Sequence, residues 1–337
     1  MKIVFFGTPE YVLPILDSLH KSFKNPKFES GIVAVVTQKP KPAGRKQIIT
    51  YSSVDAWAHK KNIPIFYKSH YFVNRKIKSD VGILASYGEI IPKSVIEHFK
   101  FGSLNIHPSL LPLWRGSSPV QASIISGDKI TGATIIKIDE LLDHGPIVSQ
   151  FKEEVQEEDT TDTLRSRLFA RSAEVAVALL PPYIKGKITP RPQLHEKATY
   201  TTQIKKSDAF IDPKIIKASL EGQALKKKWK IPFMNTKYSQ ASLIKDFTIH
   251  YSPSTIHRFI RAMQPWPVSW TYVQLSSKLK AESSKRLKVL KAHIEKSPST
   301  IHHPPFTKLV LDEVQLEGKN PVSWKQFKEA YTTAIFE

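Results

Sequence analysis

The sequence predicts an α/β protein, a doubly wound and mostly parallel sheet followed by a smaller β domain, and three observations predict it. Apolar, partly β-branched runs at Ile3–Phe6, Ile32–Val36 and Val81–Ala85 are short, and the stretches between them are long enough for crossover helices, as strands buried on both faces require. Clustered prolines at Pro190-Arg191-Pro192 read as a stiff connector. Beyond them, strand candidates at Trp270–Leu275, Leu287–Ile294 and Lys308–Val314 alternate with polar or proline-rich stretches, the rhythm of a small barrel. The 337 residues suit two domains at about 150 residues each. The expected boundaries are 1–190, a linker over 191–206, and 207–337.

Each element has its own local reason. Thr8-Pro9 reads as an N-cap with proline at the first helical position, and Val12, Leu13, Leu16 and Leu19 form an inward stripe, with Pro14 a cost to the opening turns. Leu104–Ile106 and the alternating Ala133–Ile138 read as strands, the second with one face more exposed. Ser118-Pro119 starts a helix and Gly127 stops it. A third helix runs from Thr161, with Leu164, Leu168, Val175 and Leu179 on its buried side, until Pro181-Pro182 ends the pattern. In the second half one helix spans Ser254–Met263, and 213–250 shows no clear period. Trp266 and Trp270 are expected in a hydrophobic core rather than on a base-stacking surface.

Composition excludes several chemistries. Cys is absent, so there is no disulfide, catalytic thiolate or Cys-ligated metal. The turn Gly7-Thr8-Pro9 lacks the glycine spacing of a dinucleotide fingerprint, and neither a phosphate-binding GxxxxGK[ST] loop nor an HExxH helix occurs. His302-His303 reads as a surface loop, and no metal is implied. No segment has the length and apolarity of a membrane span or a signal peptide, so a soluble, cytoplasmic protein is expected. The net charge of +20 is concentrated toward the end: +9 over residues 1–205 and +11 over 206–337. Such a surplus favours a polyanionic partner.

The most informative stretch is Ser103 to Gly116. If the chain stays extended through His107, as the following proline encourages, Asn105 and His107 point to one face while Ile106 packs inward. They would lie at the carboxyl edge of the sheet, where doubly wound proteins bind ligands. The acidic turn Asp139 to Pro146 lies between two strand candidates and can carry Asp143 to the same crevice. By spacing alone, turn capping accounts for Asn105 and His107 as readily as catalysis does, and the acids of the second segment read more readily as ordinary turn acids than as catalytic groups.

The residues also carry a resemblance. Phe6-Gly7-Thr8-Pro9, Pro42-Ala43-Gly44-Arg45, Tyr87-Gly88 with Ile91-Pro92, Asn105 to Gly116, Asp139 to Pro146, and Ile260-Arg261-Ala262 with Pro265-Trp266-Pro267 stand in the order found in the methionyl-tRNA formyltransferases, which the chain resembles from Met1 to about Ile204 and more weakly from Phe210 to Trp270. The resemblance implies a Rossmann-like formyltransferase fold with an OB-like C-terminal barrel. It implies transfer of a formyl group from 10-formyltetrahydrofolate, a consumed cosubstrate rather than a tightly bound cofactor, to the amino group of methionyl initiator tRNA. Asn105, His107 and Asp143 are then the catalytic residues, Ser109-Leu110-Leu111-Pro112 the folate-site segment, and the basic loop with Lys39, Lys41, Arg45 and Lys46 the tRNA contact. A monomer is expected. The chain departs from the family pattern at Pro108, at His144, and at Val268, where glycine is typical. Two rivals remain: a folate-dependent formyltransferase acting on an amino sugar nucleotide, which the basic loop and tail oppose, and a noncatalytic RNA-binding protein, which the intact polar trio opposes.

Overall fold

A computed structural model describes residues 1–25, 27, 30–44, 46–237, 245–277, 280–297, 306–332 and 334–336. Arg45 and His302-His303 lie outside the described residues. The chain packs as two compact units. One comprises Met1–Gly116, Ile130–Glu154 and Arg165–Ala198; the other comprises Ser117–Lys129, Val155–Leu164 and Thr199–Glu337.

The first unit is built on strands β1 (Lys2–Gly7), β2 (Gly31–Val36), β3 (Ile65–Phe66), β4 (Val81–Ala85), β5 (Ser103–His107), β6 (Ile130–Lys137) and β7 (Ile147–Glu154). Their spatial order is β7-β6-β5-β4-β1-β2-β3. The pairs from β5 through β4, β1 and β2 to β3 are parallel, and β6 and β7 extend the sheet antiparallel to their neighbours. The mostly parallel α/β sheet is therefore as the sequence predicts. Alternation along β1 divides the core: Ile3 and Phe5 join one apolar cluster with Leu16, Trp57 and Phe169, while Val4 and Phe6 join another with Phe72, Val95 and Phe99 on the opposite face. β6 has six consecutive buried residues, so neither of its faces is the exposed one expected from its alternation.

Two helix boundaries differ from the sequence reading. Pro9 precedes a single 3-10 turn, Glu10–Val12, and the α-helix begins at Leu13. Thr8 caps nothing; its hydroxyl donates to the Tyr87 carbonyl at 3.1 Å. The late start places Pro14 in the first turn, where the missing N–H has no helical acceptor to lose. The helix from Thr161 does not stop at Pro181-Pro182 but runs to Ile184. These prolines fall in its last turn, where buried Leu180 and Tyr183 hold the backbone and the N–H groups of Lys185 and Lys187 satisfy the proline carbonyls at 3.3 and 2.9 Å. The helix Pro119–Ser126 ends on left-handed Gly127, as the sequence predicts.

The second unit is a helix and sheet assembly. The span 213–250, aperiodic in sequence, contains the helix Pro213–Leu220 and two long strands, β8 (Leu225–Lys237) and β9 (Lys245–Tyr251), paired antiparallel. A four-stranded antiparallel sheet follows: β10 (Trp270–Ser277), β11 (Lys280–Ser297), β12 (Phe306–Leu316) and β13 (Val322–Ser323). Among the described residues these ladders run as open sheets. The amphipathic helix Pro253–Ala262, N-capped by the Ser252 hydroxyl, buries Ile256, Phe259 and Ile260. Trp270 packs among Phe210, Tyr272 and the Arg286 guanidinium, but Trp266 is 51% exposed, against the core placement expected for it. The cause is local. Gln264 Nε2 is tied to the Leu290 carbonyl and Val268 N–H to Met263 O, and the residues between them bulge outward.

Candidate active site

The carboxyl edge of the parallel strands is stitched together by loop contacts. The Tyr87 carbonyl, just past β4, accepts from Thr8 Oγ1 after β1 and from Gln38 Nε2 after β2, at 3.1 and 3.3 Å. The Tyr87 hydroxyl is pushed well above its ordinary range, first by burial and then by Glu89, so it stays protonated. Beside this edge, β5 sets Asn105 level with Leu84 of β4 and places Asn105 and His107 two residues apart on one face. Pro108 does not disturb that register; the strand persists to His107, and the Ser109 N–H turns back onto the His107 carbonyl at 2.9 Å.

Asp143 arrives from the loop joining β6 to β7. Asn105 Nδ2 donates to its Oδ1 at 3.1 Å, while Oδ2 accepts from the Gly116 N–H at 2.8 Å and lies 3.5 Å from His107 Nδ1. Against a carboxylate the Asn105 amide can only present its nitrogen, which leaves its second N–H and its carbonyl for a ligand. His107 Nε2 lies 2.9 Å from the Trp114 carbonyl. The buried imidazole is thus held between the Trp114 carbonyl at Nε2 and the Asp143 carboxylate on its Nδ1 side. Asp143 adopts a left-handed backbone, φ 48°, a conformation that Asp tolerates better than most residues. Two residues on, an added Cβ at Gly145 would stand 1.8 Å from the Lys137 carbonyl, so the loop can close this tightly only on glycine.

The other candidates fall into two sets. In the segment after His107, the Ser109 hydroxyl donates to the Leu113 carbonyl and Thr134 Oγ1 accepts from Leu111 N–H, while the Leu111 side chain packs on Ile136 and Ile147. Leu110 and Pro112 are half-buried and retain accessible surface. Lys39, Lys41 and Lys46 are all exposed, and what reads as a plain basic loop in sequence contains a short antiparallel hairpin, Lys41–Ala43 with Ile48–Thr50. Among the described residues no group of three or more His, Asp or Glu is placed to hold a metal ion, and no helix is long and apolar enough to cross a membrane.

Sequence reasoning missed the scaffold under Asp143. Gln193 Nε2 donates to the carbonyls of Asp143 and Gly145 at 2.9 and 2.8 Å, and Arg115 Nη2 donates to Gln193 Oε1 at 2.7 Å. Neither residue belongs to a periodic pattern. The hints in the sequence are the place of Arg115 inside the Asn105 to Gly116 signature and the adjacent Pro192, which restricts the chain entering Gln193.

A doubly wound sheet brings an amide, an imidazole and a carboxylate together at its carboxyl edge, a set of groups able to donate to a developing oxyanion and to move a proton. The formyl transferase family model matches residues 1–180, and the model for the C-terminal domain of formyl transferases matches 246–305. The chain belongs to the formyl transferase family. It is 34% identical over 278 residues to the methionyl-tRNA formyltransferase of Chloroflexus aggregans, covering 81% of this chain and 76% of the relative. It is likewise 34% identical over 280 residues to that of Buchnera aphidicola, with the same shares covered. A solved N-formyltransferase from Helicobacter canadensis, in complex with folinic acid and dTDP-3-aminofucose, shares the fold with a TM-score of 0.57 at 16% identity, over 88% of this chain and 89% of that one. The chain is a formyltransferase of this superfamily, with an α/β formyltransferase-fold N-terminal domain and a C-terminal β-sheet domain.

Proposed function

We propose that the protein formylates the amino group of methionyl initiator tRNA, as a cytoplasmic monomer, with 10-formyltetrahydrofolate as the formyl donor. The observation that supports this reading is the convergence of Asn105, at 3.1 Å, and His107, at 3.5 Å, on the two oxygens of the Asp143 carboxylate. The acceptor amine has to attack the formyl carbon as a free base. A C–N bond forms to it, the bond to the donor's nitrogen breaks, and the amine's proton passes to that departing nitrogen.

Each side chain has a part that its geometry supports. Asn105, with one N–H engaged by Asp143, offers the other to the formyl oxygen as negative charge gathers there. With Nε2 held at the Trp114 carbonyl, His107 has Nδ1 left to share a proton with Asp143 or with that oxygen. Asp143 accepts the amine's proton and relays it. In the segment Ser109-Leu110-Leu111-Pro112, Leu110 and Pro112 meet the donor substrate, while Ser109 and Leu111 hold the segment in shape. The exposed lysines Lys39, Lys41 and Lys46, with Arg45, contact the tRNA backbone, and the lysine-rich start of an OB-like C-terminal barrel, nine lysines against three acids from Lys205 to Lys237, adds phosphate-binding surface.

The test is a competition for the acceptor. With 10-formyltetrahydrofolate and equal concentrations of methionyl initiator tRNA and a dTDP-linked amino sugar, the formyl group should appear as acid-stable formylmethionine. Preferential formylation of the sugar would overturn the assignment of the acceptor while leaving the formyltransferase class intact.

A further inference from the structure

Asp143 has more holding it than its own loop can supply. Its carbonyl and that of Gly145 both accept from the single side-chain amide of Gln193, at 2.9 and 2.8 Å. That amide is oriented from the other side, since Gln193 Oε1 accepts from Arg115 Nη2 at 2.7 Å and Nε at 3.3 Å. Arg115 also donates through Nη2 to His195 Nδ1 at 2.8 Å. A ring nitrogen that accepts cannot carry a proton, and burial, His144 and Arg115 all lower the pKa of His195. His195 in turn lies flat on His144, 3.9 Å between ring centroids and 5° between planes, and His144 Nδ1 is 2.6 Å from Asp139 Oδ2. Arg115 and Gln193 are only 2% and 5% exposed.

We infer that Gln193, anchored by Arg115, is a positioning residue for the reaction, fixing the strained backbone of Asp143 so that its carboxylate meets Asn105 and His107 in productive geometry. The inference rests on the catalytic reading of Asp143 given above. Three features separate it from ordinary packing. The clamp grips the backbone of a residue in the left-handed region, where the unassisted chain prefers to relax. It spans two carbonyls on either side of His144, so it fixes the loop's orientation as well as its position. The segment between Arg115 and the site also carries the Gly116 N–H that donates to Asp143 Oδ2, so Arg115 registers the carboxylate and Gln193 the backbone from one base. A misplacement of about 1 Å at such a site can cost on the order of a hundredfold in rate.

The experiment is a double-mutant cycle on the full chain, reading kcat and both KM values for formyl transfer together with the thermal midpoint. Gln193→Glu retains an oxygen for Arg115 but turns an acceptor toward the two carbonyls; Gln193→Met keeps the volume and removes both donors. For each variant with a cooperative transition, kcat should fall roughly 10- to 100-fold with the KM values within about twofold of wild type. In an Asp143→Asn background the same change should cost less than about threefold, because the group it positions is already disabled. Multiplicative losses in the double mutant, or wild-type kcat in both well-folded Gln193 variants, would overturn the inference and leave the catalytic reading standing. Wild-type activity in Asp143→Asn alone would remove that reading and this inference with it. If neither Gln193 variant folds, Arg115→Lys, which shortens the anchor and keeps the charge, should give the same kcat-selective loss, and its absence counts against the clamp.

Discussion

Asp143 shows how much a single carboxylate must reconcile: a left-handed backbone, one oxygen for the Asn105 amide, and the other for the Gly116 N–H and the His107 ring. Asp143→Asn keeps the volume and a side chain that tolerates the same backbone, but discards the charge and half the acceptor capacity. A loss of about a hundredfold or more in turnover at neutral pH is expected, with an unchanged thermal midpoint; wild-type turnover across a pH–rate profile would refute proton handling by this carboxylate. Val268 is a contrasting case, a β-branched residue at φ 69°, a backbone region that favours glycine, which is also what the resemblance leads one to expect there. No polar contact at the site requires valine, and its N–H bond to the Met263 carbonyl is equally open to glycine. Relieving the strain should outweigh the entropy that glycine adds to the unfolded chain, so Val268→Gly should stabilise the protein by about 1 kcal/mol, visible as a higher denaturation midpoint; a lower midpoint would show that valine packing there matters more.

At the level of elements, the helix Pro253–Ala262 carries a titration into the second unit. His257 is buried on it, with Nε2 3.1 Å from the Ala292 carbonyl, and its pKa is pushed down to about 4, by burial first and then by the charge of Arg261. Its contribution is fully present above the unfolded value of about 6.5 and is lost as pH falls toward 4, because only the unfolded chain binds that proton readily in this window. About 3 kcal/mol of stability should disappear between pH 7 and 4 through this group. His257→Gln, which can still donate to Ala292, should flatten the acid limb of a denaturant-derived stability curve, and an unaltered limb would exclude His257 as its source. The hairpin Lys41–Ala43 with Ile48–Thr50 makes a separate prediction: replacing Lys39, Lys41 and Lys46 by alanine should weaken initiator-tRNA binding and reduce the slope of log affinity against log salt by about 0.7–0.9 for each phosphate that a lysine no longer neutralises. An unchanged slope would remove these lysines from the interface. Elements were legible in sequence where short apolar runs marked buried strands, as in β1, β2 and β4, where a helical period was sustained, as from Thr161, and where a local stop such as Gly127 was unambiguous. Residues 213–250 were opaque because the long strand β8 mixes lysines with apolar residues and follows neither alternation nor a helical period. Asn105, His107 and Asp143 stood out through residue type and motif; Arg115 lies inside the Asn105 to Gly116 signature without a role being legible there, and Gln193 carried no signal, since a clamp across 78 positions leaves no periodic trace.

Across the whole molecule, the net charge of +20 gives the protein a field that draws polyanions whatever their sequence, so association with tRNA should slow steeply as salt rises. That field accounts for attraction and not for chemistry. In the proposed mechanism the chemistry rests on a family fold that brings side chains 38 positions apart in sequence to one hydrogen bond, Asn105 to Asp143. The most direct test compares wild type with Asn105→Ala in single-turnover transfer of labelled formyl from 10-formyltetrahydrofolate to methionyl initiator tRNA. Wild type should yield formylmethionyl-tRNA, and the variant, folded by circular dichroism, should be slower by roughly a hundredfold, about 3 kcal/mol of lost transition-state stabilisation. Equal rates for the two proteins, or no transfer by wild type, would contradict the account.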